Sequence, residues 1–198
     1  MGTIGGIVLA AGGSIRLGRP KQLLELNGEM LVHAAVRAAW EGGCEKVCVV
    51  VGHSAEAVAQ AVSDLHPHIV RNDHWARGIG SSIRLGIGTM SEVSAVVLLA
   101  CDQPAVNGRI VRSLIARHDR FGLAIVASLY GHTQGIPALF DHSCFHELRS
   151  LPDDRGAKSI IQAQPSRVAT VDFSDGAFDL DSPEDLRVWQ ARKAPSQQ

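Results

Sequence analysis

Residues 9–21 carry the most informative pattern of this chain, Leu9-Ala10-Ala11-Gly12-Gly13-Ser14-Ile15-Arg16-Leu17-Gly18-Arg19-Pro20-Lys21. A short apolar run, residues 4–10, leads into it and has the length and β-branched content of a buried strand. The glycines let the backbone turn tightly and present N–H groups to an anion. Arg16 and Lys21 add two positive charges that can neutralise a polyphosphate. The pattern therefore predicts a strand followed by a phosphate-binding loop.

Two common phosphate-binding motifs do not fit this loop. A P-loop requires Lys and then Ser or Thr directly after the second Gly of G-x-x-x-x-G, whereas Gly18 is followed by Arg19 and Pro20. The dinucleotide-binding pattern G-x-G-x-x-G is not formed by Gly12, Gly13 and Gly18. The loop therefore belongs to another type.

The length and composition of the chain indicate one α/β domain. Of its 198 residues, 45% are hydrophobic and only 5% are aromatic, so the core has to be built from Ala, Val, Leu and Ile. Such a core is typical of folds in which strands and helices alternate. The formal net charge of −1, from 19 basic and 20 acidic residues, gives no broad attraction to nucleic acid or to a membrane surface. A small-molecule partner is expected.

The cysteines and the N-terminus favour the cytoplasm. The four cysteines form no C-x-x-C pair, and no charged leader with an apolar core precedes the first predicted strand. No apolar run approaches the length that spans a bilayer. We expect a cytoplasmic protein without a membrane partner.

Strand-like and helical patterns alternate along the chain. Strands are predicted at residues 4–10, 46–51, 69–71, 95–100, 124–129 and 168–173. Helices are predicted at residues 30–40, 56–63, 81–87, 108–120, 143–148, 157–163 and 182–191, with Ser54 as the N-cap of the second. This order predicts a mainly parallel central sheet in a single domain of residues 1–192. Residues 193–198 are expected to form a disordered tail.

Asp102 is the first candidate for chemistry outside the loop. Ligands of such sheets bind at the carboxyl ends of strands, and Asp102 directly follows the apolar run 95–101. A carboxylate beside a polyphosphate requires a cation between them, and Mg²⁺ binds one or two carboxylates together with phosphate oxygens. The alternative is that Asp102 caps the turn that Pro104 introduces.

A second group of acids precedes the last predicted helix, Asp179-Leu180-Asp181-Ser182-Pro183-Glu184-Asp185. Acids are favoured in the first turn of a helix, and Asp181 or Ser182 before Pro183 is an ordinary helix start. These residues alone therefore do not separate a metal ligand from a helix cap.

The loop pattern L-A-A-G-x-S-x-R-x-G-x-x-K resembles that of the cytidylyl- and guanylyltransferases that modify the molybdenum cofactor. The segments 101–104 and 179–186 resemble two further motifs of this family, with Ser182 in place of Thr. The resemblance implies a three-layer Rossmann-like nucleotidyltransferase fold and an Mg²⁺ ion held by Asp102 and Asp181. It also implies that Arg16, Lys21 and Asp102 take part in catalysis.

The resemblance further implies which residues bind the nucleotide. From the first loop these are Leu9, Ala10, Ala11, Gly12, Gly13, Ser14, Arg16 and Lys21. Residues 74–84 resemble a family loop that helps to hold the nucleotide, which adds Gly80, Ser81 and Ser82. Hydroxyl and N–H groups at a helix start suit a base edge or a phosphate, and N-capping by Ser81 is the alternative.

Two later segments, residues 135–140 and 151–157, resemble family segments that approach the second substrate. They imply contacts from Gly135, Pro137, Arg155 and Lys158. Ile136 stands where His or Asn is usual, and Asp153 stands where Gly is usual, so the second substrate is less defined than the nucleotide chemistry. Arg155 and Lys158 are available to a phosphate, with solvated charge pairs as the alternative.

The implied reaction transfers CMP from CTP to the terminal phosphate of a molybdopterin cofactor and releases pyrophosphate. CTP is favoured over GTP because Ala11 gives L-A-A-G, where guanylyl relatives have L-A-G-G. A guanylyl- or sugar-phosphate nucleotidyltransferase is the alternative enzyme. A nucleotide-binding protein that delivers the cofactor without turnover is an alternative of another class. A recipient molybdoenzyme or its chaperone is the protein partner that this reaction implies.

Overall fold

The computed structural model describes residues 2–193 of the chain. The strands within these residues are β1 (Ile4–Ala10), β2 (Glu25–Leu26), β3 (Glu29–Met30), β4 (Lys46–Val51), β5 (His68–Arg71), β6 (Ala95–Ala100), β7 (Ile125–Tyr130), β8 (Thr133–Asp141) and β9 (Val168–Asp172). Seven of them form one sheet in the order β5-β4-β1-β6-β8-β7-β9, and β2 pairs only with β3.

Helices cover both faces of the large sheet. They are α1 (Leu31–Gly42), α2 (Ala55–Gln60), α3 (Ile79–Gly88), α4 (Gly108–Phe121), α5 (Phe145–Arg149), α6 (Lys158–Ala163) and α7 (Pro183–Lys193). Apolar side chains of α1, α2 and α4 pack on one face of the sheet, and those of α3, α5 and α6 pack on the other. The predicted three-layer architecture with a mainly parallel sheet is thus confirmed. Among the described residues, no helix is both long and apolar enough to cross a membrane.

β1 lies inside the sheet and is buried along its whole length. It pairs in parallel with β4 on one side and with β6 on the other. Because helices cover both faces, the strand is a continuous apolar run and does not alternate with polar residues. The ends of the three strands at Ala10, Val51 and Ala100 lie side by side, and we call this side of the sheet the carboxyl edge.

β8 is the main element that the sequence pattern does not predict. It runs antiparallel to both β6 and β7. Gly135 and Pro137 lie within it, and both residue types are disfavoured in strands, since glycine adds no packing and proline has no N–H to donate. Ser128 Oγ donates a hydrogen bond of 2.6 Å to the Pro137 carbonyl beside a register shift in β7. Because β8 is antiparallel, its first residues lie at the carboxyl edge.

Two local expectations need correction. Ser54 holds the N-cap position of α2, as predicted, but its side chain makes no capping hydrogen bond and its backbone has a left-handed φ of 58°. Its Oγ lies instead 3.0 Å from Nδ1 of His53. Lys193, expected in the tail, is the last residue of α7 because the helical turn continues through it. Residues 194–198 of the expected tail lie outside the described residues.

Candidate active site

The glycine-rich loop leaves β1 at the carboxyl edge and is held from inside by a buried glutamine. The Gln22 Nε2 group donates hydrogen bonds to the carbonyl oxygens of Ala10, at 3.0 Å, and Gly12, at 2.7 Å. Gln22 is only 1% exposed. The Lys21 N–H donates to Ser14 Oγ at 3.0 Å, which closes the loop. Sequence reasoning missed Gln22. The available signal was its position, since a polar side chain directly before two leucines is often buried with them.

The loop turns at two residues with positive φ. Ser14 has a φ of 50° and Gly18 a φ of 72°. The Ser14 carbonyl accepts hydrogen bonds from the N–H groups of Leu17, at 3.1 Å, and Gly18, at 3.3 Å. Glycine adopts this left-handed conformation without a steric penalty, so Gly18 ends the turn that carries Arg16.

Lys21, Asp102 and Asp181 converge at the carboxyl edge. Lys21 Nζ lies 2.6 Å from Asp102 Oδ2 and 2.9 Å from Asp181 Oδ1. Asp102 follows β6, whereas Asp181 precedes α7. The Leu180 N–H donates a hydrogen bond of 2.8 Å to the Asp102 carbonyl, which ties the two segments together. The two carboxylates therefore meet at one positive charge, which is that of Lys21.

The charges in this cluster stabilise one another. Burial alone would lower the pKa of Lys21, but the charges and hydrogen bonds of Asp102 and Asp181 raise it above its ordinary value. Burial would raise the pKa of Asp181, but Lys21 and Arg16 hold it below its ordinary value. Arg16 Nη2 lies 2.7 Å from Asp181 Oδ2, and the Arg16 side chain is 74% exposed. Lys21 is thus a cation and Asp181 an anion at neutral pH.

Asp179 is a further carboxylate beside this cluster. Partial burial of its carboxyl group, followed by the negative charges of Asp102 and Asp181, raises the pKa of Asp179 to about 6. Gln103 is buried next to it, and its Nε2 donates a hydrogen bond of 3.0 Å to the Gly176 carbonyl. Neither Asp179 nor Gln103 was predicted as a site residue, although each lies within a segment that resembles a family motif.

Asp102 and Asp181 suit a divalent cation. Both offer carboxylate oxygens, the ligands that Mg²⁺ prefers, and both face the same positive centre. Within residues 2–193, no group of three or more His, Cys, Asp or Glu side chains is arranged as a metal site. A cation bound by these two carboxylates therefore has to take its other ligands from water or from phosphate oxygens.

A cavity of about 330 Å³ opens between the glycine-rich loop and the start of α3. It is lined by Leu9, Ala11, Gly12, Gly13, Lys21, Gln22, Trp75, Ala76, Gly78, Ile79, Ser82, Ala100, Cys101 and Asp102. Of the predicted nucleotide-binding residues, Ala10, Ser14, Arg16, Gly80 and Ser81 are not among those lining it. Burial raises the pKa of the Cys101 thiol to about 12, so Cys101 is not a nucleophile here.

Ser81 and Ser82 share one hydrogen-bond donor. The side-chain amide of Asn72, a buried residue, donates hydrogen bonds of 2.9 Å to both hydroxyl oxygens. Ser81 Oγ in turn donates to the Gly78 carbonyl at 2.7 Å. The alternative that Ser81 is the N-cap is wrong, since Gly78 holds that position and Ser81 lies inside the first turn of α3. Sequence reasoning missed Asn72, which lies in the turn after β5.

The segment 151–156 is attached to α3. The Gly80 N–H donates a hydrogen bond of 2.9 Å to the Asp153 carbonyl. The Asp153 carboxylate forms ion pairs with Arg77, at 2.7 Å, and with Arg84. Asp153, which stands where Gly is usual in the family, therefore joins this segment to the helix.

Arg155 lies on this segment and Lys158 begins α6, and both are exposed. A Cβ atom added at Gly80 would lie 2.9 Å from the Arg155 carbonyl oxygen, so Arg155 lies beside the start of α3. Within the described part of the chain, neither side chain forms a salt bridge, unlike Arg77 and Arg84 beside them. Their expected contact with a second substrate stays a prediction.

Gly135 and Pro137 lie near the start of β8, at the carboxyl edge. A side chain at Gly135 would collide with the hydroxyl of Tyr130, which ends β7. That hydroxyl donates a hydrogen bond of 3.3 Å to the Ile136 carbonyl. Gly135 therefore makes room for Tyr130, and the structure supplies a physical reason for this glycine that the sequence pattern did not contain.

The fold and the site together define a class of protein. A glycine-rich loop with two cations and a pair of carboxylates beside it can bind a nucleoside triphosphate and neutralise the charge that develops when it is cleaved. These are the parts of a nucleotidyltransferase. Residues 6–168 match the model of the MobA-like NTP transferase domain, and the chain belongs to this family.

Similar proteins span nearly the whole chain. It is 33% identical to nicotine blue oxidoreductase of Paenarthrobacter nicotinovorans over 191 aligned residues. The alignment covers 91% of this chain and 93% of that relative. The crystal structure of Rv0371c from Mycobacterium tuberculosis H37Rv superposes with a TM-score of 0.83 at 29% identity, over 96% of this chain and 98% of that one. Rv0371c in complex with manganese gives a TM-score of 0.78 at 27% identity, over 94% and 97% of the two chains.

Proposed function

We propose that this protein transfers CMP from CTP to the terminal phosphate of a molybdopterin cofactor. A phosphate oxygen of the cofactor attacks the α-phosphorus of CTP, the bond from that phosphorus to the bridging oxygen breaks, and pyrophosphate leaves. The observation that carries the proposal is the convergence of Lys21, Asp102 and Asp181 beside a cavity that starts at the glycine-rich loop.

The protein's task in this reaction is alignment and charge neutralisation. The attacking phosphate is already anionic, so no strong general base is required. Asp102 and Asp181 would hold the divalent cation, which neutralises charge on the triphosphate when it is bound. Lys21 stays protonated because its pKa is raised, so it can donate hydrogen bonds to phosphate oxygens throughout. Arg16 is largely exposed and adds a second positive charge on the solvent side of Asp181.

One feature supports CTP as the nucleotide, and one comparison supports a divalent metal. The Ala11 side chain is buried and lines the cavity, so its methyl group reduces the space beside the loop. A pyrimidine needs less space there than guanine. The manganese complex of Rv0371c supports a divalent metal, because that chain is 27% identical and matches nearly the full length.

One relative suggests a different reaction. Nicotine blue oxidoreductase, as its name states, is an oxidoreductase, and it is 33% identical over 91% of this chain. The second candidate is therefore a redox reaction, in which a hydride is transferred from one small molecule to another in the same cavity. The ion cluster favours nucleotidyl transfer, because hydride transfer does not require two carboxylates around a lysine.

The decisive experiment measures pyrophosphate release from CTP in the presence of molybdopterin and Mg²⁺, with the dinucleotide product identified by mass. We expect release that EDTA stops and that Mg²⁺ or Mn²⁺ restores. Asp102→Asn should abolish it, whereas Asp119→Asn, an exposed acid on α4, should not. Release with GTP but not CTP would contradict the cytidylyl assignment. Consumption of NADH or NADPH as hydride donor, with an added organic dye as acceptor and without pyrophosphate release, would favour the second candidate.

A further inference from the structure

Trp75 is a large aromatic side chain in the wall of the nucleotide cavity. It lies in the short turn between β5 and α3. A Cβ atom added at Gly13 would lie 3.0 Å from Cζ3 and Cη2 of the indole ring. One added at Gly52 would lie 2.7 Å from the Cβ of Trp75. Only residues without side chains at these two positions let Trp75 lie this close to the loop.

His53 holds the indole from a further side. Its ring meets that of Trp75 edge-on, with centroids 5.3 Å apart and planes at 79°. The backbone N–H of His53 donates a hydrogen bond of 3.0 Å to the Ala11 carbonyl, so His53 is attached to the glycine-rich loop. Trp75 is thus placed by the glycine-rich loop itself and by the segment after β4.

The cavity has an apolar end and a charged end. Ile79 lines it together with Trp75, and Ile79 is 44% exposed, so its side chain is accessible to a ligand. Lys21 and Asp102 line it at the end of β6. In the sheet, β1 lies between β4 and β6, so the loop after β1 separates Trp75 from the charged pair. This polarity fits a nucleotide whose base lies at the indole and whose phosphates lie at Lys21.

We propose that Trp75 is the specificity-determining contact for the nucleobase. The base packs against the indole and Ile79, and the position of the indole against Gly13 limits the depth available, so a pyrimidine is accepted and a purine is crowded. This inference rests on the proposed function for the identity of the preferred base, CTP over GTP. The contact itself needs only a bound nucleotide.

Intrinsic tryptophan fluorescence tests the contact without any second substrate. We expect CTP to quench the fluorescence of the wild-type protein, because a base stacked on an indole provides a quenching route. Trp75→Phe should lose this response. Trp40→Phe is the matched control, since Trp40 packs on the opposite face of the sheet and its loss should leave the response intact. An equal response in Trp75→Phe and wild type would overturn the proposal.

Affinity and selectivity provide the second measurement. Trp75→Ala should weaken CTP binding about 10–100-fold, the range of one base–aromatic stack, and should reduce the preference for CTP over GTP. Gly13→Ala keeps the indole but places a methyl group 3.0 Å from it, so the indole has to shift. This variant should therefore also weaken CTP binding, and it serves if Trp75→Ala does not fold. Unchanged CTP and GTP affinities in both variants would overturn the proposal. Failure of molybdopterin as acceptor would contradict the proposed function but leave these binding results standing.

Discussion

At the scale of single residues, Lys21 connects the glycine-rich loop to the two carboxylates of the candidate site. Its ammonium group contacts two carboxylates and its own N–H closes the glycine-rich loop through Ser14. The side chain is only 17% exposed, whereas that of Arg16 is 74% exposed. Water screens a charge at the surface far more than one that is partly buried. Lys21 is therefore expected to contribute more to catalysis than Arg16.

Lys21→Ala should lower kcat with saturating CTP about 10²–10³-fold, the usual effect of losing one preorganised donor to developing charge. Arg16→Ala should lower it in the same direction but by less, because solvent screens Arg16. Steady-state pyrophosphate release measures both. Lys46→Ala is the control, since Lys46 begins β4 away from the carboxyl edge and forms a salt bridge with the exposed Glu92. Near-normal turnover in Lys21→Ala would remove this residue from the site.

Ala11→Gly should erode the preference for CTP over GTP. The methyl group of Ala11 lines the cavity, and one steric contact of this size is worth about 1–3 kcal/mol. We therefore expect the wild type to favour CTP roughly tenfold to a few hundredfold in kcat/KM, and the variant to favour it less. Parallel measurements with the four nucleoside triphosphates check this. Equal or better turnover of GTP by the wild type would contradict the expectation.

At the scale of elements, α3 and the segment 151–156 form one unit. Gly78 and Gly80 lack side chains where the backbone of Pro152 and Asp153 packs against the start of the helix. The ion pairs of Asp153 with Arg77 and Arg84 add to this attachment. A substitution at the start of α3 should therefore shift the segment that carries Arg155, which is expected to contact the second substrate.

Gly80→Ala should destabilise the protein by about 1–3 kcal/mol, because the new methyl group collides with the Pro152 carbonyl oxygen. Gly88→Ala, in the same helix, meets nothing within 4 Å and should be neutral or slightly stabilising. Urea denaturation of the two variants gives the difference in the free energy of unfolding. A loss of equal size in both variants would show that the contact with Pro152 is not responsible.

At the scale of the whole molecule, an ion cluster ties α1 to the turn after α2. His33 Nδ1 lies 2.7 Å from Glu29 Oε1, and its Nε2 lies 3.1 Å from Asp64 Oδ2. Burial opposes the charged form of His33, but the hydrogen bonds to Asp64 and Glu29 prevail and raise its pKa above the ordinary 6.5. Hydrogen bonds from Arg37 lower the pKa of Glu29 to about 2, so Glu29 is ionised at neutral pH.

The stability of the protein should therefore depend on pH through His33. A pKa that is raised on folding stabilises the folded state fully below 6.5, and this stabilisation is lost as the pH rises through the folded value. The contribution should be about 1 kcal/mol or less, as for other partly exposed ion pairs. Comparing the Tm of His33→Gln and wild type at acidic and alkaline pH measures it, with the exposed His132→Gln as control. A constant Tm difference across this range would contradict it.

The sequence by itself determined the elements whose signals are local. β1, β4 and β6 are predicted residue for residue, because a strand buried on both faces is a continuous apolar run with a clear beginning and end. The loop after β1 and Asp102 after β6 follow from the same local signals. The convergence of Asp181 with Asp102 was expected from the family resemblance and from placing both acids at strand ends. Asp181 in fact precedes α7 and does not end a strand.

Only the tertiary structure decided the features that depend on contacts between distant segments. β8 is paired on both sides although Gly135 and Pro137 disfavour a strand, because the neighbouring strands and the Ser128 hydroxyl supply its partners. Gln22 and Asn72 are buried because loop carbonyls and serine hydroxyls satisfy their amides. A linear pattern contains hydrophobicity and local conformational preference, but the partner of a buried polar group or of an irregular strand exists only once the chain has folded.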